Sequence, residues 1–341
     1  MPVADFKTLC AILDRARAGR FALPAVNVTS MTTANAVLRG LAESKADGII
    51  QVSTGGGSFA SGSALKDMAL GAASIAEHVH RVADRYPVYV ALHTDHCLKD
   101  KLETFVIPLV EATEKRRAAG QPNLFTGHMF DGSNLSLGEN LDIAEKLLAR
   151  FAKSDLILEI ETGAVGGEED GVVGDHNAKL YTTPEDTLEV ARRLNPIGGR
   201  YLLAATFGNV HGVYKPGHVK LQPKVLQECQ NAVVKKHGEA ARFHLVFHGG
   251  SGSTQEEIHE SLGYGVVKMN VDTDMQYAFT RPIAGHMLKN YDGVLKVDGE
   301  VGKKKAYDPR SYLAVAEGSM ADRVKQAVSD LRGNGQTMFA S

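Results

Sequence analysis

The chain has 341 residues, 43% hydrophobic and 23% charged, with a formal net charge of −2 and a pI near 6.7. This is ordinary soluble globular composition. It offers no bulk positive charge to nucleic acid or an anionic membrane, and no apolar run approaches the ~20 residues that span a bilayer. The three cysteines, Cys10, Cys97 and Cys229, form no CxxC pair or disulfide framework. Met1-Pro2-Val3-Ala4-Asp5 has no basic segment before an apolar core. A reduced, cytoplasmic setting is therefore expected.

Periodicity predicts a leading helix over 4–18, where Phe6, Leu9, Cys10, Leu13 and Ala16 recur at helical spacing. An apolar strand over 21–28 ends near Asn27, and a helix follows over 32–46. A second strand reaches Ser53 and Thr54 and runs into Gly55-Gly56-Gly57, which reads as loop, before a long helix over 64–86. The third strand, 88–94, precedes a helix over 100–119, and the fourth, 125–132, ends near Asp131 before a helix over 138–153. The fifth strand, 156–161, ends in Glu161 and leads into a Gly-flanked loop with Glu168 and Glu169. Thr183-Pro184 has the cap-then-proline pattern of a helix start. The sixth strand, 201–207, gives way to Gly208-Asn209-Val210-His211-Gly212, and a helix covers 223–237. The seventh, 245–248, is followed by Gly249-Gly250-Ser251-Gly252-Ser253 and a short helix. The eighth, 266–270, is followed by Val271-Asp272-Thr273 and a helix to about 290. A basic loop, Lys303-Lys304-Lys305, and a helix opened by Asp308-Pro309 complete the chain.

Strands alternating with helices imply a parallel sheet. Eight such units suggest an α/β fold, a closed (β/α)8 TIM barrel, with one domain over 1–341. A doubly wound open sheet is the alternative, weakened because no G-x-G-x-x-G follows the first strand. A barrel would place its chemistry at the C-terminal ends of the strands. Ser53, Asp95, His96, Asp131, Glu161, Asn209, His211, His248, Asn270 and Asp272 all lie at such ends.

The densest stretch is Ala91-Leu92-His93-Thr94-Asp95-His96-Cys97. Burying that polarity at a strand end is costly unless it is paired or bound to metal. His96, His211 and His248 follow three different strands, and three histidines with an open fourth position suit a catalytic zinc. His93 and His128 lie deeper in their strands and read as core or as support for ligands. Asp95 is a candidate proton carrier or partner of His96, provided the strand has ended and the chain has turned. The glycines after strand seven and the residues after strand eight suit a phosphate held by backbone N–H groups. Together these features describe a metal-dependent enzyme acting on a phosphorylated small molecule. The rivals are Schiff-base chemistry at Lys268, a zinc hydrolase, and a non-catalytic phosphosugar binder.

The chain resembles the class II, zinc-dependent fructose-1,6-bisphosphate aldolases of the long, type A form. The matching stretches are Pro24–Asn27, Gln51–Gly56, Ala91–Cys97, Gly166–Gly171, Gly208–Tyr214, Phe247–Gly252 and Lys268–Asp274. The resemblance implies a reversible aldol cleavage of fructose 1,6-bisphosphate to dihydroxyacetone phosphate and glyceraldehyde 3-phosphate through a zinc-stabilised enediolate, with tagatose 1,6-bisphosphate as the alternative substrate. It implies that His96, His211 and His248 hold zinc, with Asp131 and Glu161 as further metal-site carboxylates. Asp95 would exchange the C4 hydroxyl proton, and Glu169 would move the proton on the ketone-derived carbon. Asn27, Ser53, Gly212, Gly249, Gly250, Ser251, Asn270, Val271, Asp272 and Thr273 would contact substrate. A monovalent cation, Na+ or K+, would sit near the phosphate. Arg310 would reach a neighbouring active site in a homodimer or homotetramer.

Overall fold

The computed structural model describes residues 2–163, 166–169, 172–173, 181–211, 221–250, 253–295 and 301–339, with backbone alone for 166–169, 172–173 and 210–211. The chain opens with α1 (Phe6–Gly19), β1 (Leu23–Asn27), α2 (Met31–Ser44), β2 (Gly48–Val52), α3 (Thr54–Ala60) and α4 (Met68–Val82). It continues with β3 (Val90–Thr94), α5 (Val106–Ala118), β4 (Gly127–Phe130), α6 (Leu137–Lys153) and β5 (Ile157–Thr162). Next come β6 (Gly166–Glu169), β7 (Val172–Val173), α7 (Pro184–Leu194), β8 (Arg200–Ala205), β9 (Val210–His211) and α8 (Lys224–His237). The last elements are β10 (Leu245–Phe247), α9 (Gln255–Gly263), β11 (Val266–Val271), α10 (Thr273–Lys289), α11 (Tyr291–Val294), α12 (Lys304–Tyr307) and α13 (Pro309–Asp330).

Eight strands close into a barrel in the order β1-β11-β10-β8-β5-β4-β3-β2. Neighbours run parallel, and the last strand pairs with the first through Ala25 opposite Asn270. This is the (β/α)8 barrel expected from the alternation of elements. A separate small sheet, β7-β6-β9, lies outside it. The loop expected over 166–171 is therefore partly strand: Gly166 and Gly167 of β6 pair with Val210 and His211 of β9. No helix among the described residues is long and apolar enough to cross a membrane.

The barrel has two apolar layers. The outer one lies between strands and surrounding helices and includes Val26, Ile50, Leu92, Phe130 and Leu203. The inner one joins Leu23, Ala25, Ile49, Ala91, Ile157 and Leu202 to Leu9, Ile12, Leu13 and Ala16 of α1. The leading helix thus plugs the N-terminal end of the barrel with its apolar stripe. Its start is set by Asp5, which accepts a hydrogen bond from Thr8 N at 2.7 Å.

Four further segments differ from their sequence reading. Gly55-Gly56-Gly57 is helical, not loop, because Ser53 Oγ accepts from Gly56 N at 3.1 Å and caps α3. The helix expected over 64–86 begins only at Met68, capped by Asp67 Oδ1 on Leu70 N at 2.9 Å. Gly57 and Gly71 stand where these two helices make close contact. A Cβ on Gly57 would lie 2.3 Å from Met68 O, and one on Gly71 would lie 1.9 Å from Gly57 O. The helix expected over 100–119 divides into a 3-10 turn, Lys99–Thr104, and α5. The basic segment at 303–305 contributes to α12.

Gly71→Ala should therefore push α3 and α4 apart and destabilise the protein by about 1–3 kcal/mol. Chemical denaturation would read this as a lower midpoint at unchanged slope; an unchanged midpoint would show that the contact imposes no constraint.

Candidate active site

Alternate residues of a strand share a face, and along these strands the inward face changes from apolar to polar. In β1 the series is Leu23, Ala25, Asn27; in β2 and the residue after it, Ile49, Gln51, Ser53. In β3 and its end it is Ala91, His93, Asp95; in β5, Ile157, Glu159, Glu161. The first members join the apolar layer over α1, and Gln51, His93, Asp95, Glu159 and Glu161 are nonetheless buried. Polarity therefore accumulates toward the C-terminal mouth.

Asp95 lies just past the end of β3, with its N–H donating to Val52 O at 3.0 Å. Both carboxylate oxygens receive an amide. Asn27 Nδ2 donates to Oδ2 at 2.8 Å and Asn270 Nδ2 to Oδ1 at 3.0 Å. Burial would raise the Asp95 pKa, but the charges of His96, Lys268 and His248 and the Asn27 hydrogen bond outweigh it and hold the group below its usual value. The carboxylate is thus fixed in place and kept as an anion.

The strand has ended by His96, so its ring shares this site with Asp95. The His96 and His248 ring centroids are 4.7 Å apart. His96 Nδ1 lies 3.0 Å from Asp131 Oδ2 and 3.7 Å from Glu161 Oε2, and His248 Nδ1 lies 3.5 Å from Glu161 Oε1. Burial pulls His96 down, but Asp95, Asp131 and Glu161 lift its pKa to about 10. For Glu161 burial prevails and raises the pKa.

Among the described residues, two groups of donors could hold a metal ion: Asp95, His96 and His248, and His96, Asp131 and Glu161. Within each group the ligand atoms lie within 4.8 Å of one another. The donor chemistry fits a divalent ion, since imidazoles and carboxylates are its usual ligands. Buried Glu161 Oε1 has the His248 ring at 3.5 Å and no shorter hydrogen bond among the described residues, so a cation would fit beside it. Sharing His96 gives one ion two adjacent positions. Cys97, in contrast, belongs to the outer hydrophobic core, and burial pushes its thiol up to about 12.

The residue that sequence reasoning missed, Glu159, lies one layer below. Glu159 is fully buried and joins three partners. Its Oε1 is 2.8 Å from His248 Nε2, its Oε2 is 2.8 Å from Lys268 Nζ, and Oε2 is 3.9 Å from His93 Nε2. Burial would raise its pKa, yet the Lys268 charge and the His248 hydrogen bond hold it well below the carboxylate range. Lys268 Nζ also donates to Asn270 Oδ1 at 2.7 Å. Two partners inside the wall already engage the amine that Schiff-base chemistry would need. A signal for Glu159 was present: a charge within the apolar run Leu156–Ile160, two residues before Glu161 and so on the same face. His128 faces outward instead, packed between Phe125 and Phe151 at 5.3 and 5.6 Å, with Nδ1 3.2 Å from Thr94 Oγ1.

The remaining candidates are placed as follows. Ser53 is buried at the α3 cap. Gly249 has φ of 62°, the left-handed region that glycine adopts without penalty. Val271 ends β11, Asp272 stands at the N-cap position of α10, and Thr273 is its first residue. In Gly250, a Cβ would lie 2.1 Å from Met269 Cε. Arg310 is not joined to this cluster within the chain; its side chain is 87% exposed and pairs with Asp308, Nη2 to Oδ2 at 2.6 Å. Glu169 and His211 have described backbone only, on β6 and β9. Gly212 and Ser251 lie outside the described residues.

The family model described as fructose-bisphosphate aldolase class-II matches residues 7–336. The chain is 55% identical over 345 residues to a fructose-bisphosphate aldolase of Mycobacterium leprae, covering 100% of both chains. It is 56% identical over 337 residues to that of Streptomyces galbus, covering 98% of this chain and 99% of the relative. A crystal structure of the fructose-bisphosphate aldolase from Campylobacter jejuni matches with a TM-score of 0.87 at 40% identity, covering 98% of this chain and 97% of that one. Similarity at this level, continuous through all the barrel strands, shows that the chain belongs to the class II fructose-bisphosphate aldolases.

Proposed function

We propose that the Asp95–His96–His248 cluster is the centre at which this aldolase reversibly cleaves fructose 1,6-bisphosphate to dihydroxyacetone phosphate and glyceraldehyde 3-phosphate. One observation carries the assignment: a buried carboxylate held by two amides, beside two imidazoles within 4.8 Å. His96, His248 and His211 would hold the metal, zinc by the family resemblance, and Asp131 and Glu161 would offer the second position. When bound, such an ion supplies Lewis-acid polarisation of the ketose carbonyl.

The chain's own groups perform the proton transfers. Asp95, ionised and oriented by Asn27 and Asn270, accepts the C4 hydroxyl proton. The C3–C4 bond then breaks, C4 becomes the aldehyde carbon of glyceraldehyde 3-phosphate, and the bonding pair remains with C3. Glu169 delivers a proton to C3, completing dihydroxyacetone phosphate, and the condensation follows the reverse course. Ser53, Gly212, Gly249, Gly250, Ser251, Asn270, Val271, Asp272 and Thr273 would contact the substrate, chiefly through backbone N–H groups at its phosphates. A sodium or potassium ion would lie nearby. Arg310, exposed and away from its own chain's cluster, would reach the phosphate in a neighbouring subunit of a dimer or tetramer. A cytoplasmic location accompanies this reading.

Asp95→Ala is expected to retain zinc and lose about 10²–10⁴-fold in turnover. Metal analysis beside steady-state kinetics checks both halves, and undiminished turnover in the zinc-replete variant would remove Asp95 from the proton transfer. His248→Ala should emerge from dialysis without metal. Full zinc occupancy in that variant would overturn His248 as a ligand.

A further inference from the structure

We infer that Lys268 is a positioning residue for the cleavage, acting on Asp95 through the side-chain amide of Asn270. The inference rests on the assignment of Asp95 as the proton acceptor.

Lys268 Nζ donates to Asn270 Oδ1 at 2.7 Å, and Asn270 Nδ2 donates to Asp95 Oδ1 at 3.0 Å. A primary amide has a donor and an acceptor end and fits most sites in either orientation. Here only one orientation works. An ammonium can donate and never accept, so the amide oxygen must face Lys268 and the NH2 group must face the carboxylate. A flipped amide would set its oxygen against Asp95 and its NH2 against Nζ, losing both hydrogen bonds. Lys268 is itself immobilised: it is fully buried, donates to Glu159 Oε1 at 3.1 Å, and stands in ion-pair contact with Glu159 Oε2 at 2.8 Å.

The amide on the other side of Asp95 has no such backing. Asn27 Nδ2 donates to Asp95 Oδ2 at 2.8 Å, but its buried Oδ1 accepts no hydrogen bond among the described residues. Asn270 is therefore the amide whose orientation is imposed from behind. Lys268 makes no hydrogen bond to Asp95 itself; besides the charge by which it favours the anion, it acts by holding the carboxylate in its reactive geometry through Asn270. Its loss should appear in kcat more than in KM.

The test uses zinc-loaded, full-length enzyme and fructose 1,6-bisphosphate. Lys268→Met is made alone and with Glu159→Gln, because the single variant leaves a buried carboxylate without its cation and can fail to fold. Each is also combined with Asn270→Ala. The expected result is a kcat loss of about tenfold or more, with KM within about threefold and zinc content unchanged. In the Asn270→Ala background the same change should cost less than about twofold, because residues acting in series are not additive. A crystal structure of the double variant should show the Asn270 amide turned away from Asp95. The inference is overturned if kcat is retained, if the losses multiply in the combined variant, or if Asn270 still donates to Asp95 after Lys268 is gone. Failure of the Asp95 assignment is distinguishable, because it would appear as turnover by Asp95→Ala while the Asn270 orientation still depends on Lys268.

Discussion

At the centre of the barrel a carboxylate and an ammonium meet with no exposed surface, Glu159 Oε2 to Lys268 Nζ at 2.8 Å. Either charge alone would cost several kcal/mol to keep away from water. Together they form a fixed dipole inside the wall, and the polar atoms above it are arranged around that dipole. Glu159 reaches up to His248 Nε2, and Lys268 reaches up to Asn270 Oδ1. One pair thus orients a histidine of the candidate metal group and an amide on the carboxylate beside it. A site assembled from the ends of β1, β3, β4, β5, β10 and β11 obtains its coherence from this contact below the mouth.

The rest of the barrel makes such a buried pair tolerable. Its N-terminal end is closed by α1 and filled with small and branched apolar side chains. The charged and polar side chains gather in the upper half instead. Gly127 shows how closely this is packed: a Cβ there would lie 2.7 Å from the His93 ring and 2.8 Å from Ile157 O. The imidazole that completes the polar layer occupies space that any larger residue would need.

Much of this was legible in the sequence. The alternation of eight strands with helices gave the barrel, and the polar residues that end its strands gave the mouth, because a parallel barrel places its chemistry at the C-terminal ends of its strands. His96 and Asp95 could be placed together because a polar run after Leu92 marks the point where alternation stops. Glu159 was harder to see, and Lys268 was read only as a candidate Schiff-base amine, without its partner. Each stands inside an apolar run, where a charge has meaning only once its partner on a strand 109 residues away is known. Counting back two positions from Glu161 would have put Glu159 on the inward face, where Lys268 was already expected. The glycines at 55–57 misled for a different reason: glycine serves a loop by conformational freedom and a helix crossing by its missing side chain, and only the packing of α3 on α4 distinguishes the two.

The most direct test of the account is cleavage of fructose 1,6-bisphosphate by the purified enzyme before EDTA treatment, after it, and after zinc is restored. The imidazole and carboxylate donors around Asp95 predict that activity disappears with the metal and returns with it. Cleavage that survives complete removal of metal would contradict the account, and the reaction would then have to be sought at an amine such as Lys268.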